Sequence, residues 1–155
     1  MRSRIAVVAL AVLCLPLALR AQAPALAWGP APPVFPTGAK MAVLAGDPSQ
    51  PGLFTVRLEL PDGYRVAPHF HPTDEYLTVI TGTFLLGMGD ELSAAKATAL
   101  QPGGFGTVGA NMHHYAIARG RTVVQVHAMG PFALTYVNPE DDPSKRAPSK
   151  GDKKK

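Results

Sequence analysis

Cysteine is almost absent from this chain. Its one cysteine, Cys14, lies inside an apolar run near the N-terminus, and no cysteine follows it. Disulfide bonds, thiolate metal sites and cysteine nucleophiles are therefore excluded from the rest of the chain.

The chain also lacks an apolar run long enough to span a bilayer, which takes about 20 residues. The run over residues 5–19 follows two arginines, is interrupted by Pro16, and precedes the small-x-small sequence Ala21-Gln22-Ala23. This pattern is typical of a secretory signal peptide. We predict that residues 1–23 are cleaved after Ala23 and that the mature protein is secreted, into the periplasm; an uncleaved anchor is the alternative.

An excess of positive charge is missing from the body of the chain. The formal net charge is +4, yet residues 24–138 carry six basic and seven acidic side chains. The excess lies at the two ends, so a basic groove for nucleic acid is not expected. We predict that the Lys-rich tail, residues 139–155, is disordered. A weak electrostatic hold on an anionic surface is the alternative for this tail.

Long helical patterns are absent as well, whereas glycine and proline are frequent, with 15 and 16 residues. Short apolar runs alternate with turn signals over residues 40–138, which predicts nine or ten strands, with a turn at Thr81-Gly82 and a loop or helical turn over residues 91–98. We expect an all-β fold, a single antiparallel β-barrel. Residues 24–39 are rich in proline and alanine and read as a linker or an arm on the barrel.

Histidine is confined to one part of the chain, residues 69–127. In a strand, His69 and His71 would project to the same face. A turn over residues 72–74 then starts the strand of Glu75, which an antiparallel neighbour can bring opposite the histidines. Two imidazoles and a carboxylate on one face suit a borderline divalent metal.

The spacing around these residues is more specific than a His-x-His pair. Gly63, five residues, His69-x-His71, three residues, Glu75, six residues and Gly82 follow one another. In this respect the chain resembles the cupin superfamily, because the spacing matches the first cupin motif at every defined position.

The second cupin motif is matched less completely. Counted from Gly103, its register selects His114 and leaves His113 as a rim or surface residue. Gly109 stands where proline is usual, Asn111 where glycine is usual and Ala118 where asparagine is usual. Asparagine is the non-glycine residue that best tolerates a left-handed turn.

The resemblance covers roughly residues 40–137 and implies a small cupin barrel, a double-stranded β-helix or jelly roll. It also implies one divalent metal ion, Fe, Mn, Zn, Ni or Cu. The ligands implied by the resemblance are His69, His71, Glu75 and His114. Gln125, His127, Tyr64 and Tyr76 are candidates for further polar groups in the pocket. The alternatives are an outward-facing or packed His127 and core packing for the two tyrosines.

Three kinds of function fit such a chain. The first is a metal-dependent enzyme acting on a small oxygen-rich molecule. An oxygenase or oxidoreductase is favoured over an isomerase, because the sequence offers no separate acid–base pair. The second is a non-catalytic module that binds or senses a small ligand, and the third is a storage or structural protein. A homodimer formed through edge strands and the N-terminal arm is expected.

Overall fold

The structure, a computed structural model, describes residues 25–145. The predicted signal peptide lies outside the described residues, as do residues 146–155 of the tail. Over residues 25–145, no helix is long and apolar enough to cross a bilayer. The strands are β1 (Gly29–Pro30), β2 (Lys40–Ala45), β3 (Gly52–Leu60), β4 (Arg65–Phe70), β5 (Glu75–Met88), β6 (Thr98–Leu100), β7 (Phe105–Val108), β8 (His114–Gly130) and β9 (Thr135–Tyr136).

All strand pairs are antiparallel, which confirms the predicted all-β barrel class. The strands form one curled sheet in the order β1-β2-β3-β8-β4-β9, and β5 pairs with β6, β7 and β8. The first half of β8 pairs with β4 and with the second half of β5. The second half of β8 pairs with β3 and with the first half of β5. The sheet thereby folds over a central cavity lined by both halves.

The two longest strands, β5 and β8, each bend partway along their length. The predicted turn at Thr81-Gly82 is instead an irregularity inside β5, and β8 continues through residues 119–121. Gly82 and Gly120 both have positive φ, +75° and +70°. A Cβ on Gly82 would approach Thr122 Oγ1 to 2.5 Å, so glycine is required at this bend. A local turn signal could not distinguish a bend from a strand end.

The N-terminal segment lies as an arm on the barrel. Its strand β1 pairs with β2. Two tyrosine hydroxyls of the barrel hold the arm: Tyr136 donates to Val34 O at 2.9 Å, and Tyr64 donates to Pro36 O. Of the two readings of residues 24–39, the described part therefore favours an arm over a free linker.

Regular structure continues past residue 138, where the sequence predicts that the barrel ends. Pro139–Asp141 and Pro143–Lys145 form two short 3-10 turns, and the side chain of Asn138 accepts a hydrogen bond from Glu140 N. The predicted disordered tail begins at residue 139, whereas six of its first seven residues lie in these two turns. Residues 91–97 form a loop that contains one hydrogen-bonded turn, in which Lys96 N donates to Ser93 O at 3.2 Å, and no helix.

Gly87 provides a test of packing between the two long strands. It lies opposite Tyr115, which is fully buried, and a Cβ on Gly87 would lie 2.0 Å from the Tyr115 ring. We expect Gly87→Ala to lower the free energy of unfolding by about 1–3 kcal/mol, as overpacking does. Gly29→Ala, whose Cβ would meet nothing within 4 Å, is the control. Equal urea midpoints for the two variants would contradict this account of the packing.

Candidate metal centre

Three histidines converge at one end of the cavity. His69 lies near the end of β4, His71 directly follows that strand, and His114 begins β8. His69 pairs in register with His114, and their ring centroids are 4.1 Å apart. One nitrogen from each of the three side chains lies within 4.8 Å of the others, and all three residues are buried. His69 and His71, two residues apart in the chain, thus reach the same cluster.

Backbone carbonyls set the tautomer of each imidazole. A carbonyl only accepts hydrogen bonds, so each Nδ1 must carry the proton and each Nε2 must present a lone pair. This arrangement is the usual outer support of a metal-ligating histidine. The bonds join His69 Nδ1 to Ala67 O at 2.8 Å, His71 Nδ1 to Ala133 O at 2.8 Å, and His114 Nδ1 to Met112 O at 3.0 Å.

Glu75 completes the cluster from the start of β5. Its side chain is buried, and Oε2 lies 3.3 Å from His114 Nε2 and 3.7 Å from His71 Nε2. A carboxylate this close to two imidazole lone pairs is repelled unless a proton or a cation lies between them. The donor set of three imidazoles and one carboxylate therefore fits a borderline divalent metal.

Burial keeps the imidazoles in the form that binds metal. Desolvation lowers the pKa of His69 well below its ordinary value, and the nearby His114 and His71 lower it further. Desolvation also lowers the pKa of His71, although the carboxylate of Glu75 acts in the opposite direction. These histidines are therefore held neutral, with Nε2 free to donate its lone pair.

The cavity beside this cluster has a volume of about 140 Å³ and is otherwise apolar. Eighteen of its lining residues are aliphatic, aromatic, methionine or proline. The four polar lining residues are His69, His71, Glu75 and His114. The arm contributes Pro32, Val34 and Phe35 to the wall, so it covers part of the cavity.

Two residues predicted for the pocket lie on the other side of the sheet. Gln125 and His127 point away from the cavity, whose wall is formed by the alternate residues Val124 and Val126. On the outer face, His127 Nδ1 lies 2.9 Å from Thr55 Oγ1. Gln125 bonds to His127 Nε2 at 3.0 Å and accepts from Arg57 at 3.0 Å. Alternation showed two faces of this strand but could not show which one is buried.

The two tyrosines predicted for the pocket do not line it either. Tyr64 is buried with its hydroxyl on the arm, and desolvation raises its pKa. Tyr76 is 42% exposed and stacks on Phe105 on the outside. His113 lies at the surface, with Nδ1 2.5 Å from Asp90 Oδ1. The register of the second motif, which selected His114 over His113, therefore agrees with the burial of His114 and the surface position of His113.

Sequence reasoning missed the groups that hold His71 in place. Phe132 stacks on its ring, with centroids 4.2 Å apart and planes at 26°, and the next residue supplies the carbonyl that bonds Nδ1. Asn111 N donates to His71 O at 2.7 Å. No sequence signal near His71 marks its contacts with Phe132 and Ala133, because Ala133 is 62 residues away.

Comparison with known proteins identifies the class of fold. A scan against protein-family models found no match, and a search of curated proteins found none. Solved structures do match, at low identity. A cupin superfamily protein from Desulfitobacterium hafniense superposes with a TM-score of 0.51 at 16% identity, over 60% of this chain and 78% of that one.

Two further structures are similar over a longer part of the chain. A protein described as a candidate acetylacetone dioxygenase from Methylibium petroleiphilum has a TM-score of 0.58 at 24% identity, covering 76% of this chain and 79% of its own. The polyketide cyclase RemF from Streptomyces resistomycificus has a TM-score of 0.57 at 18% identity, covering 70% and 77%. The protein has the cupin fold, as its histidine and glycine spacing predicted.

Asn111 offers a test of the turn that precedes His114. Its φ is +61°, a left-handed conformation that residues with a Cβ seldom adopt. We expect Asn111→Ala to lower the free energy of unfolding by about 1 kcal/mol, while Asn111→Gly changes it by less than about 0.5 kcal/mol. Urea denaturation of both variants checks this, and an equal loss in both would show that the Asn side chain matters more than its backbone.

Tyr64 offers a test of the arm. Tyr64→Phe removes the hydroxyl that donates to Pro36 O and leaves the buried ring. We expect a loss of about 1 kcal/mol in the free energy of unfolding and faster proteolysis within residues 25–39. Tyr76→Phe, on an exposed side chain, is the matched control. Unchanged proteolysis in Tyr64→Phe would mean that the arm is held without this bond.

Proposed function

We propose that this protein is an exported, metal-dependent cupin enzyme that acts on a small molecule, with oxygenase or oxidoreductase chemistry favoured over isomerisation. The observation that carries the proposal is the cluster of His69, His71 and His114, with their Nδ1 atoms tied to carbonyls. Their lone pairs meet the carboxylate of Glu75 at the end of an apolar cavity. Export by residues 1–23 and a homodimer belong to the same proposal.

The four side chains have distinct roles in this proposal. The three Nε2 atoms and the Glu75 carboxylate would hold one divalent ion. The negative charge of the carboxylate would partly neutralise the charge of that ion. A bound transition metal supplies Lewis acidity, redox capacity and coordination positions left open by four protein ligands. The apolar walls exclude water and strengthen electrostatic interactions near the ion.

The choice of oxygenase chemistry rests on what the cavity offers. Isomerisation and hydrolysis need a side chain that moves a proton, and general acid–base catalysis requires that group within hydrogen-bond reach of the substrate. Every polar side chain lining the cavity within residues 25–145 belongs to the proposed ligand set. A reaction that depends on the redox capacity of the metal needs no further group. The likeness to a candidate dioxygenase supports the same choice.

A binding or sensing module is the alternative that the same apolar wall favours. Such a module would bind a small ligand with saturable affinity and form no product. Iron in the purified protein, with oxygen uptake on addition of a small substrate, would favour the enzyme. Zinc or manganese would direct the search to isomer and hydrolysis screens.

The metal site itself is tested by measuring bound metal. The protein is purified with a tag that does not bind metal and analysed by mass spectrometry, as isolated and after loading with Fe, Mn, Zn, Ni or Cu. We expect about one equivalent of metal. His71→Ala and His114→Ala should lose at least about 90% of it, because losing a ligand or even its outer support typically weakens metal affinity 10–100-fold or more.

His113→Ala is the matched control, because it removes the neighbouring histidine that lies at the surface. It should keep the metal content of the parent. Circular dichroism of each metal-free variant shows whether it is folded. No metal in the parent after every loading, or an equal loss in His113→Ala and His114→Ala, would refute the site.

A further inference from the structure

The cavity is polar at one end only. The four groups of the proposed metal site are the whole of its polar side-chain lining within the described chain, and no lysine, arginine, amide or hydroxyl side chain joins them. The backbone groups of the long strands around it are paired in the sheet ladders. A ligand atom away from the histidines therefore meets hydrocarbon.

We infer that the substrate or ligand is a small molecule with an uncharged, apolar body and with its oxygen atoms confined to the end that faces His69, His71 and His114. Only one part of this inference rests on the proposed function, namely that the oxygen-bearing end of the ligand binds a metal. It narrows the oxygen-rich substrate expected from the sequence, because oxygens spread over the molecule would find no partners in this wall.

The volume of the cavity limits how much of a ligand it can enclose. Its volume is about 140 Å³. An engineered cavity of about 150 Å³ with a similar aliphatic and aromatic lining binds benzene. Sites for drug-sized ligands are larger, at roughly 300–1,000 Å³. A single ring or a short branched chain fits this space, whereas a sugar phosphate or a fused-ring system exceeds it.

The character of the wall excludes charge and hydroxyl groups on the body of the ligand. A second ionised group would lie in hydrocarbon without a counter-charge, and an additional hydroxyl would lose its hydrogen bonds to water without replacement. Sites of this kind disfavour such groups, because a polar group left unpaired opposes binding. One added hydroxyl typically lowers preference by up to about 100-fold.

Two phenols of equal size test the inference. 4-Methylphenol and hydroquinone have the same number of non-hydrogen atoms and differ only in a methyl or hydroxyl group opposite the phenol oxygen. Both are titrated by calorimetry into metal-free protein and into protein loaded with zinc. In the metal-free form the phenol hydroxyl can donate to a free Nε2. We expect 4-methylphenol to bind at least tenfold more tightly than hydroquinone in both forms.

A pair of variants locates this preference in the cavity. Val126 lines the cavity beside Val56 and Leu77, its register partners on the two neighbouring strands. Val126→Thr therefore adds a hydroxyl to the wall at nearly constant volume. We expect this variant to reduce the ratio of the two affinities at least threefold. Val123→Thr makes the same change on the same strand at a position outside the cavity lining, and it should leave the ratio unchanged. The titrations of the parent protein decide the inference even if Val126→Thr does not fold.

The outcomes separate this inference from the proposed metal site. Preference for 4-methylphenol in a protein that binds no metal would refute the metal site and support the inference. A protein that binds metal but takes up both phenols equally, prefers hydroquinone or binds neither would overturn the inference. An equal change of the ratio in Val126→Thr and Val123→Thr would also overturn it, because the preference would then lie outside this cavity.

Discussion

The site depends on three hydrogen bonds between imidazoles and backbone carbonyls. Each bond fixes the ring proton on Nδ1 of a buried histidine and leaves Nε2 with its lone pair. Three lone pairs and a carboxylate close together would repel one another, and their burial in hydrocarbon prevents water from screening that repulsion. The fold must therefore be stable enough to hold this cluster together, and a cation between the groups would relieve the repulsion.

The two bent strands supply that stability and create the cavity. Because β5 and β8 continue through their bends at Gly82 and Gly120, each contributes to both halves of the sheet. The inward residues of both halves meet around an apolar space, and the arm covers part of it with Val34 and Phe35. The histidine cluster lies where the start of β5 meets the start of β8 and the end of β4, so His69 and His114 are held on strands and His71 directly follows one.

An apolar cavity with one polar end has chemical consequences. Electrostatic interactions are stronger in such a medium than in water, so a metal ion there would act strongly on any oxygen atom that reaches it. The same medium gives no help to a reaction that needs a proton donor or acceptor elsewhere on the substrate. Chemistry confined to the metal, or simple capture of a ligand, suits this site better than acid–base catalysis.

The sequence by itself determined the class of fold and the four residues that meet at the site. Alternation and turn signals predict strands, and the spacing from Gly63 to Gly82 singles out His69, His71 and Glu75, because both are properties of neighbouring residues. Only the tertiary structure decided which face of β8 lines the cavity, and it places Gln125 and His127 on the other face. It also decided that Gly82 bends a strand and that Ala133 O orients His71. Such contacts join residues far apart in the chain, and which of them form depends on how the whole sheet closes.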